Sequence, residues 1–169
     1  LGFRGEALSS IISISKLSCT TRTKENDYGT RVECENSQVK QSQTGCAVGT
    51  IMEVKNLFYN LPARLKFLKN SKTEKKYIQE IVQTLAIINP QTGFELKNNG
   101  KTVLKTTGTA GHKSGETECL CDLKSAIKEV YSQGVTDNLK EVLKTDDLSG
   151  LKISGFVSTP DYTRSSKKG

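Results

Sequence analysis

The chain has no tryptophan, one methionine and one histidine among 169 residues. Histidine-based acid–base catalysis and histidine-rich metal binding are therefore excluded as leading readings. His112 itself sits in a Gly- and Thr-rich stretch and reads as a loop residue. No apolar run approaches the length a bilayer span needs, so no membrane partner is expected. The start carries no secretory leader pattern. The five cysteines, Cys19, Cys34, Cys46, Cys119 and Cys121, include no pair at C-x-x-C spacing. Zinc or redox chemistry of that kind is not indicated, and free thiols in a reducing compartment are the expectation. A cytoplasmic address if bacterial, or nuclear if eukaryotic, follows.

What is present is charge: 25 Lys and Arg against 18 Asp and Glu, a formal +7. Such a surface favours polyanions, although a solvated basic face is an equally good reading of charge alone. The apolar fraction of 34% still allows a real core. The chain opens on Leu1 inside a motif rather than on a leader, and is expected to be a piece of a longer protein.

The pattern predicts an α+β fold. A glycine-flanked loop feeds a helix over about residues 5–14, with Ala7, Leu8, Ile11 and Ile12 on one face. Strands are expected over 16–23, 30–35 and 49–54, with 36–46 as a polar connection. Pro62 can open a short helix to Leu68. Ser71 and Glu74 stand at capping-box spacing before a helix over 72–88, whose apolar stripe is Ile78, Ile81, Val82, Leu85 and Ile88. Asn98-Asn99-Gly100 reads as a hairpin turn between strands at 94–97 and 101–106. Residues 107–121 read as a linker. Beyond it come a helix capped by Asp122 and stopped by Gly134, then paired strands over 139–145 and 151–158.

Two stretches carry chemistry. In Gly2-Phe3-Arg4-Gly5-Glu6-Ala7-Leu8, glycines beside a helix start allow backbone N–H groups to approach an anion such as a phosphate. On spacing alone an ordinary loop-to-helix junction explains it as well. Downstream, Val48-Gly49-Thr50 and Val54 precede the string from Leu57 to Leu68, Leu-Phe-Tyr-Asn-Leu-Pro-Ala-Arg-Leu-Lys-Phe-Leu.

The first string strongly resembles the third nucleotide-binding motif of the MutL family, which belongs with the gyrase, chaperone and histidine-kinase ATPases. The second resembles the family's fourth motif and its hallmark extension. Ser-Gly-Phe-Val-Ser-Thr-Pro at 154–160 also sits where a similar segment lies in MutL proteins. The resemblance spans nearly the whole chain. It implies the C-terminal part of a layered, helix-on-mixed-sheet ATPase domain at 1–115. The start of a second, transducer-like α/β domain would follow at 119–169.

By the same resemblance, Gly2, Phe3, Arg4, Gly5, Glu6, Ala7 and Leu8 belong to the end of an ATP lid. Gly5, Ala7 and Leu8 are the best placed for amide contact. Arg4 would face the phosphates or anchor the lid, and Glu6 is not a catalytic base. Thr50 would stand at the back of the nucleotide pocket, with Gly49 leaving space beside it. Leu57, Phe58, Leu61, Leu65, Phe67 and Leu68 are expected in the core. Arg64, Lys66, Lys69, Lys72, Lys75 and Lys76 form a basic stretch with only Glu74 among them, and family resemblance favours DNA contact over a merely solvated face.

The family's general-base Glu, magnesium-binding Asn and adenine-binding Asp-x-Gly precede the first motif and have no counterpart in this sequence. The cofactor implied is ATP with Mg in the parent, and the chain alone is not expected to hydrolyse it. The partners implied are DNA, a MutS-type mismatch sensor and a second MutL-type subunit. A non-catalytic DNA-binding scaffold and another ATPase of the superfamily, such as a topoisomerase subunit, are the alternatives. The Pro-Ala-Arg-x-Lys-Phe-Leu string argues against the latter.

Overall fold

A computed structural model describes residues 5–35, 38–109, 120–146 and 149–162. Their contacts divide the chain into two compact units, Leu1–Lys69 and Asn70–Gly169.

The first unit is built on four antiparallel strands: β1 (Lys16–Arg22), β2 (Gly29–Glu35), β3 (Gln38–Thr44) and β4 (Gly49–Lys55), in the order β3-β2-β1-β4. Side chains alternate across a sheet, so register sorts them into faces. Leu17 stands opposite Cys34 and Val54, Cys19 opposite Val32 and Met52, and Thr21 opposite Thr30 and Thr50. These residues make the more apolar face, and Leu17 and Cys34 are its buried pair. Lys16, Ser18, Arg31, Glu33, Glu35, Glu53 and Lys55 point the other way.

The polar connection expected over 36–46 is instead mostly strand β3. Its only apolar residue is Val39, and all but its last residue are exposed. A sheet edge with one hydrogen-bonded side and two wet faces needs no apolar alternation, which is why the hydrophobic pattern missed it.

Helix α1 (Ala7–Ile12) precedes β1 and packs on it. Helix α2 (Pro62–Phe67) follows β4 with proline in its first turn, as expected. The apolar residues expected in the core around it are less covered than predicted. Phe58 and Leu61 are half-buried, but Leu57, Leu65 and Leu68 are exposed and Phe67 is 85% exposed. A six-residue helix with no buried side chain presents apolar groups to one neighbour at most.

The second unit opens with helix α3 (Ser71–Ile88). Its cap is Asn70 rather than Ser71: the Asn70 side-chain oxygen accepts the Thr73 N–H at 2.9 Å. Of the expected stripe, Val82 and Leu85 are half-buried. Ile78, Ile81 and Ile88 are exposed, and the buried residue is Ala86. The turn at Asn99-Gly100 joins β5 (Glu95–Asn98) to β6 (Lys101–Lys105), with φ of 49° and 76°. Two successive positive φ values are what a tight hairpin of this hand requires, and Asn-Gly supplies them cheaply.

Helix α4 (Cys121–Tyr131) packs against α3 and β6. It ends at Ser132, held at φ 95°, and a single turn, α5 (Gln133–Thr136), follows, so Gly134 is not the stop. β7 (Leu139–Asp146) and β8 (Leu151–Ser158) pair antiparallel as expected. The boundary expected at 115–119 lies outside the described residues. Cys19, Cys34 and Cys46 are free. Cys121 is disulfide-bonded, against the expectation of free thiols.

α4 is fastened to the end of the β5–β6 hairpin through Glu129. Its carboxylate accepts both the Thr107 N–H, at 3.0 Å, and the Thr107 hydroxyl, at 2.6 Å. Both residues are exposed, so water offsets much of the gain. Glu129→Ala is expected to destabilise this unit by about 1 kcal/mol. Thr107 amide hydrogen exchange should accelerate selectively; equal acceleration across β5 and β6 would point to general loosening instead.

Candidate functional site

Gly5 leads into α1 at φ +70°, and an added Cβ there would meet nothing within 4 Å. Backbone conformation, not crowding, makes glycine the fitting residue. Glu6 is the N-cap without a side-chain cap bond; its carbonyl accepts the Ser10 N–H at 3.0 Å and the Ser9 hydroxyl at 2.8 Å. Ala7 and Leu8 form the first turn of α1, both exposed. Gly2, Phe3 and Arg4 lie outside the described residues.

Thr50 is the second residue of β4, after Gly49 at φ +126°. Its hydroxyl lies 2.8 Å from that of Thr21, directly opposite on β1, and the Thr21 hydroxyl also reaches the Gly49 carbonyl at 3.3 Å. If Thr21 donates to that carbonyl, Thr50 donates to Thr21, and the Thr50 oxygen keeps acceptor capacity for an amine or a water. Thr21 is a neighbour of the candidate site residue Thr50 that sequence reasoning missed, because only strand register places the two opposite each other. No hydrogen bond described joins residues 5–8 to Thr50; what they share is the first unit.

The end of α1 is tied elsewhere. The Phe58 N–H donates to the Ile14 carbonyl at 2.7 Å, and the Asn60 amide donates to the Ser13 carbonyl at 2.8 Å. Lys16 lies 5.9 Å from the centre of the Tyr59 ring. The second motif stretch therefore meets the residues that follow α1, not residues 5–8.

The opposite face of the sheet holds an open depression of about 320 Å³ lined by charged side chains. Three of its four cations are paired with acids: Lys16 with Glu35, Arg31 with Glu33 at 2.9 Å, and Lys55 with Glu53 at 3.3 Å; Lys40 also lines it. Hydrogen bonding and charge from Glu35 push the Lys16 ammonium up. The Ser18 hydroxyl, then Lys55, holds the Glu53 carboxyl below its ordinary range. Cations already paired in this way have little charge left to offer an anion, and three acids beside them oppose one.

The basic residues fall into two sets. Arg64 and Lys66 are in the last turn of α2, and Lys69 follows it, all exposed. Lys72, Lys75 and Lys76 stand in the first turns of α3, exposed and three and four residues apart, hence on one face. Cations at a helix N-terminus oppose the macrodipole. Helix stability therefore does not account for these three lysines.

Among the described residues no three His, Cys, Asp or Glu side chains converge to hold a metal ion. No helix among them is long and apolar enough to cross a membrane.

No protein-family model matches the chain. The DNA mismatch repair protein MutL of Citrifermentans bemidjiense is 38% identical over 166 residues, covering 98% of this chain and 24% of that protein. MutL of Clostridium botulinum is 36% identical over 168 residues, 99% of this chain and 23% of that protein. The chain thus spans about a quarter of the length of these curated relatives. Among solved structures, the Aquifex aeolicus MutL ATPase domain complexed with ADP superposes with a TM-score of 0.75 at 30% identity, covering 94% of this chain and 58% of that one. The N-terminal domain of a DNA repair protein gives 0.74 at 28% identity, covering 95% and 49%. The antiparallel sheet with α1 on it and the helix–hairpin unit that follows are thus the α+β fold of a mismatch repair ATPase domain. The chain belongs to the MutL family.

Proposed function

We propose that this chain is the nucleotide-lid end and DNA-facing part of an ATP-driven switch in mismatch repair. The observation that carries the reading is Gly5. It holds a left-handed conformation with open space beside it, in a stretch matching the family's phosphate-contacting motif. The solved neighbour bound to ADP supports the same ligand class.

In this reading the amides of Gly5, Ala7 and Leu8 take the triphosphate, with Gly2, Phe3 and Arg4 completing the lid. Thr50, steadied by Thr21, offers its acceptor to the adenine edge or its water. The charge of a bound triphosphate would order the lid. Arg64, Lys66, Lys69, Lys72, Lys75 and Lys76 neutralise DNA phosphates without reading sequence. In the parent, nucleotide binding would close a pair of MutL-type subunits around DNA after a MutS-type sensor has met a mismatch.

The test uses the intact protein that carries this chain. A fluorescent ATP analogue is expected to bind saturably and to be displaced by ADP. Thr50→Val is expected to weaken that binding about tenfold by removing the hydroxyl acceptor. Analogue binding that Thr50→Val leaves untouched would count against the pocket.

A further inference from the structure

Helix ends leave the last carbonyls without intrahelical partners. At the end of α1 two of these are met by serine side chains. The Ser13 hydroxyl donates to the Ser10 carbonyl at 2.8 Å, and the fully buried Ser15 donates to the Ile11 carbonyl at 2.6 Å. Beyond them, the Ser13 and Ile14 carbonyls are taken by Asn60 and by the Phe58 amide, both from the β4–α2 connection.

That connection is strained. Asn56 and Phe58 hold φ of 55° and 63°, and an aromatic residue rarely adopts such a value. It closes on itself through Tyr59 N–H to the Asn56 carbonyl at 3.0 Å and Leu61 N–H to the Phe58 carbonyl at 2.9 Å. Strain of this kind persists where the surroundings over-determine the backbone, and it concentrates at switching elements. Here the surroundings are the end of α1. Leu61, the last residue of the connection, is the N-cap of α2.

We propose that Asn60 is a positioning residue that couples α1 to α2, so that nucleotide-driven ordering of α1 sets the DNA affinity of the segment carrying Arg64 and Lys66. The inference rests on the nucleotide and DNA roles argued above. A plain helix cap in the same place would affect stability alone. A coupling latch affects the ratio of DNA affinities with and without nucleotide, because the bistable element is shared by both sites.

The experiment measures duplex DNA affinity of the intact protein with and without a non-hydrolysable ATP analogue. Asn60→Asp keeps the shape but replaces the donating amide with a carboxylate facing the Ser13 carbonyl. It is expected to reduce the nucleotide-induced gain in DNA affinity by about fivefold or more, with nucleotide-free affinity held within about twofold. Asn60→Ala, which introduces no charge, is expected to do the same and serves if the aspartate variant does not fold. An undiminished gain in either folded variant overturns the latch. So does a parallel fall of both affinities, which leaves their ratio unchanged. If the unmodified protein binds no nucleotide analogue, the functional reading has failed rather than the latch.

Discussion

Replacing Lys72, Lys75 and Lys76 together by alanine is expected to lower the affinity of the intact protein for duplex DNA on the order of 10- to 100-fold at about 0.1 M salt. The dependence of log K on log salt should flatten by about 3, one for each lost phosphate contact. Three lysines in the opening turns of α3 face the positive end of the helix dipole, with one acid, Glu74, in the first turn. Each is unfavourable there by a few tenths of a kcal/mol, about 0.3 or more. The triple variant should therefore melt at the same temperature or slightly higher while DNA binding falls, which separates function from folding. A matched control neutralises Lys101, Lys105 and Lys124, exposed residues elsewhere in the same unit. If both triples lose the same affinity, net charge rather than a defined surface holds the DNA. Arg64→Ala and Lys66→Ala then report separately on α2.

The elements legible in the sequence are those with a local physical signature. Pro62 starts α2, the Asn-Gly pair turns the β5–β6 hairpin, and alternation at Val32 and Cys34 announces β2, because each rests on the residue itself and its nearest neighbours. Three features were not legible for a common reason. β3 is an edge strand whose pairing comes from β2 and not from its own apolar content. Thr21 joins Thr50 across 29 positions. Asn60 reaches Ser13 across 47. Each depends on strand register or on a loop folding back, which no local window reports. The apolar string at Leu57–Leu68 misled in the opposite direction. Hydrophobic content predicted core, yet several of its side chains are exposed. A sequence pattern reports what a side chain prefers, not whether the described residues supply a surface to cover it. The candidate site residues rest on motif resemblance. Spacing alone left the glycines at residues 2 and 5 indistinguishable from an ordinary loop.

Substitutions at Gly5 can separate two demands that a glycine at a phosphate loop meets at once. One is conformational: φ +70° is open to glycine and disfavoured for alanine by about 1 kcal/mol or somewhat more. The other is access, since a Cβ beside the amides would stand where a phosphate oxygen approaches. In the ligand-free protein an added Cβ meets nothing within 4 Å, so packing makes no demand of its own. Gly5→Ala is therefore expected to destabilise the protein by about 1 kcal/mol. It should also weaken nucleotide-analogue binding by more than that strain explains, on the order of 100-fold. Gly5→Asn tolerates the left-handed region better, so its melting temperature should lie closer to that of the unmodified protein. Its side chain still blocks the approach, and its nucleotide affinity should remain as low as that of the alanine variant. Isothermal calorimetry with the ATP analogue, beside thermal melting, reads both effects. If affinity follows melting temperature across the two variants, strain is the whole story and the loop does not hold phosphate. If affinity stays low while stability returns, the Gly5 backbone lies against the ligand.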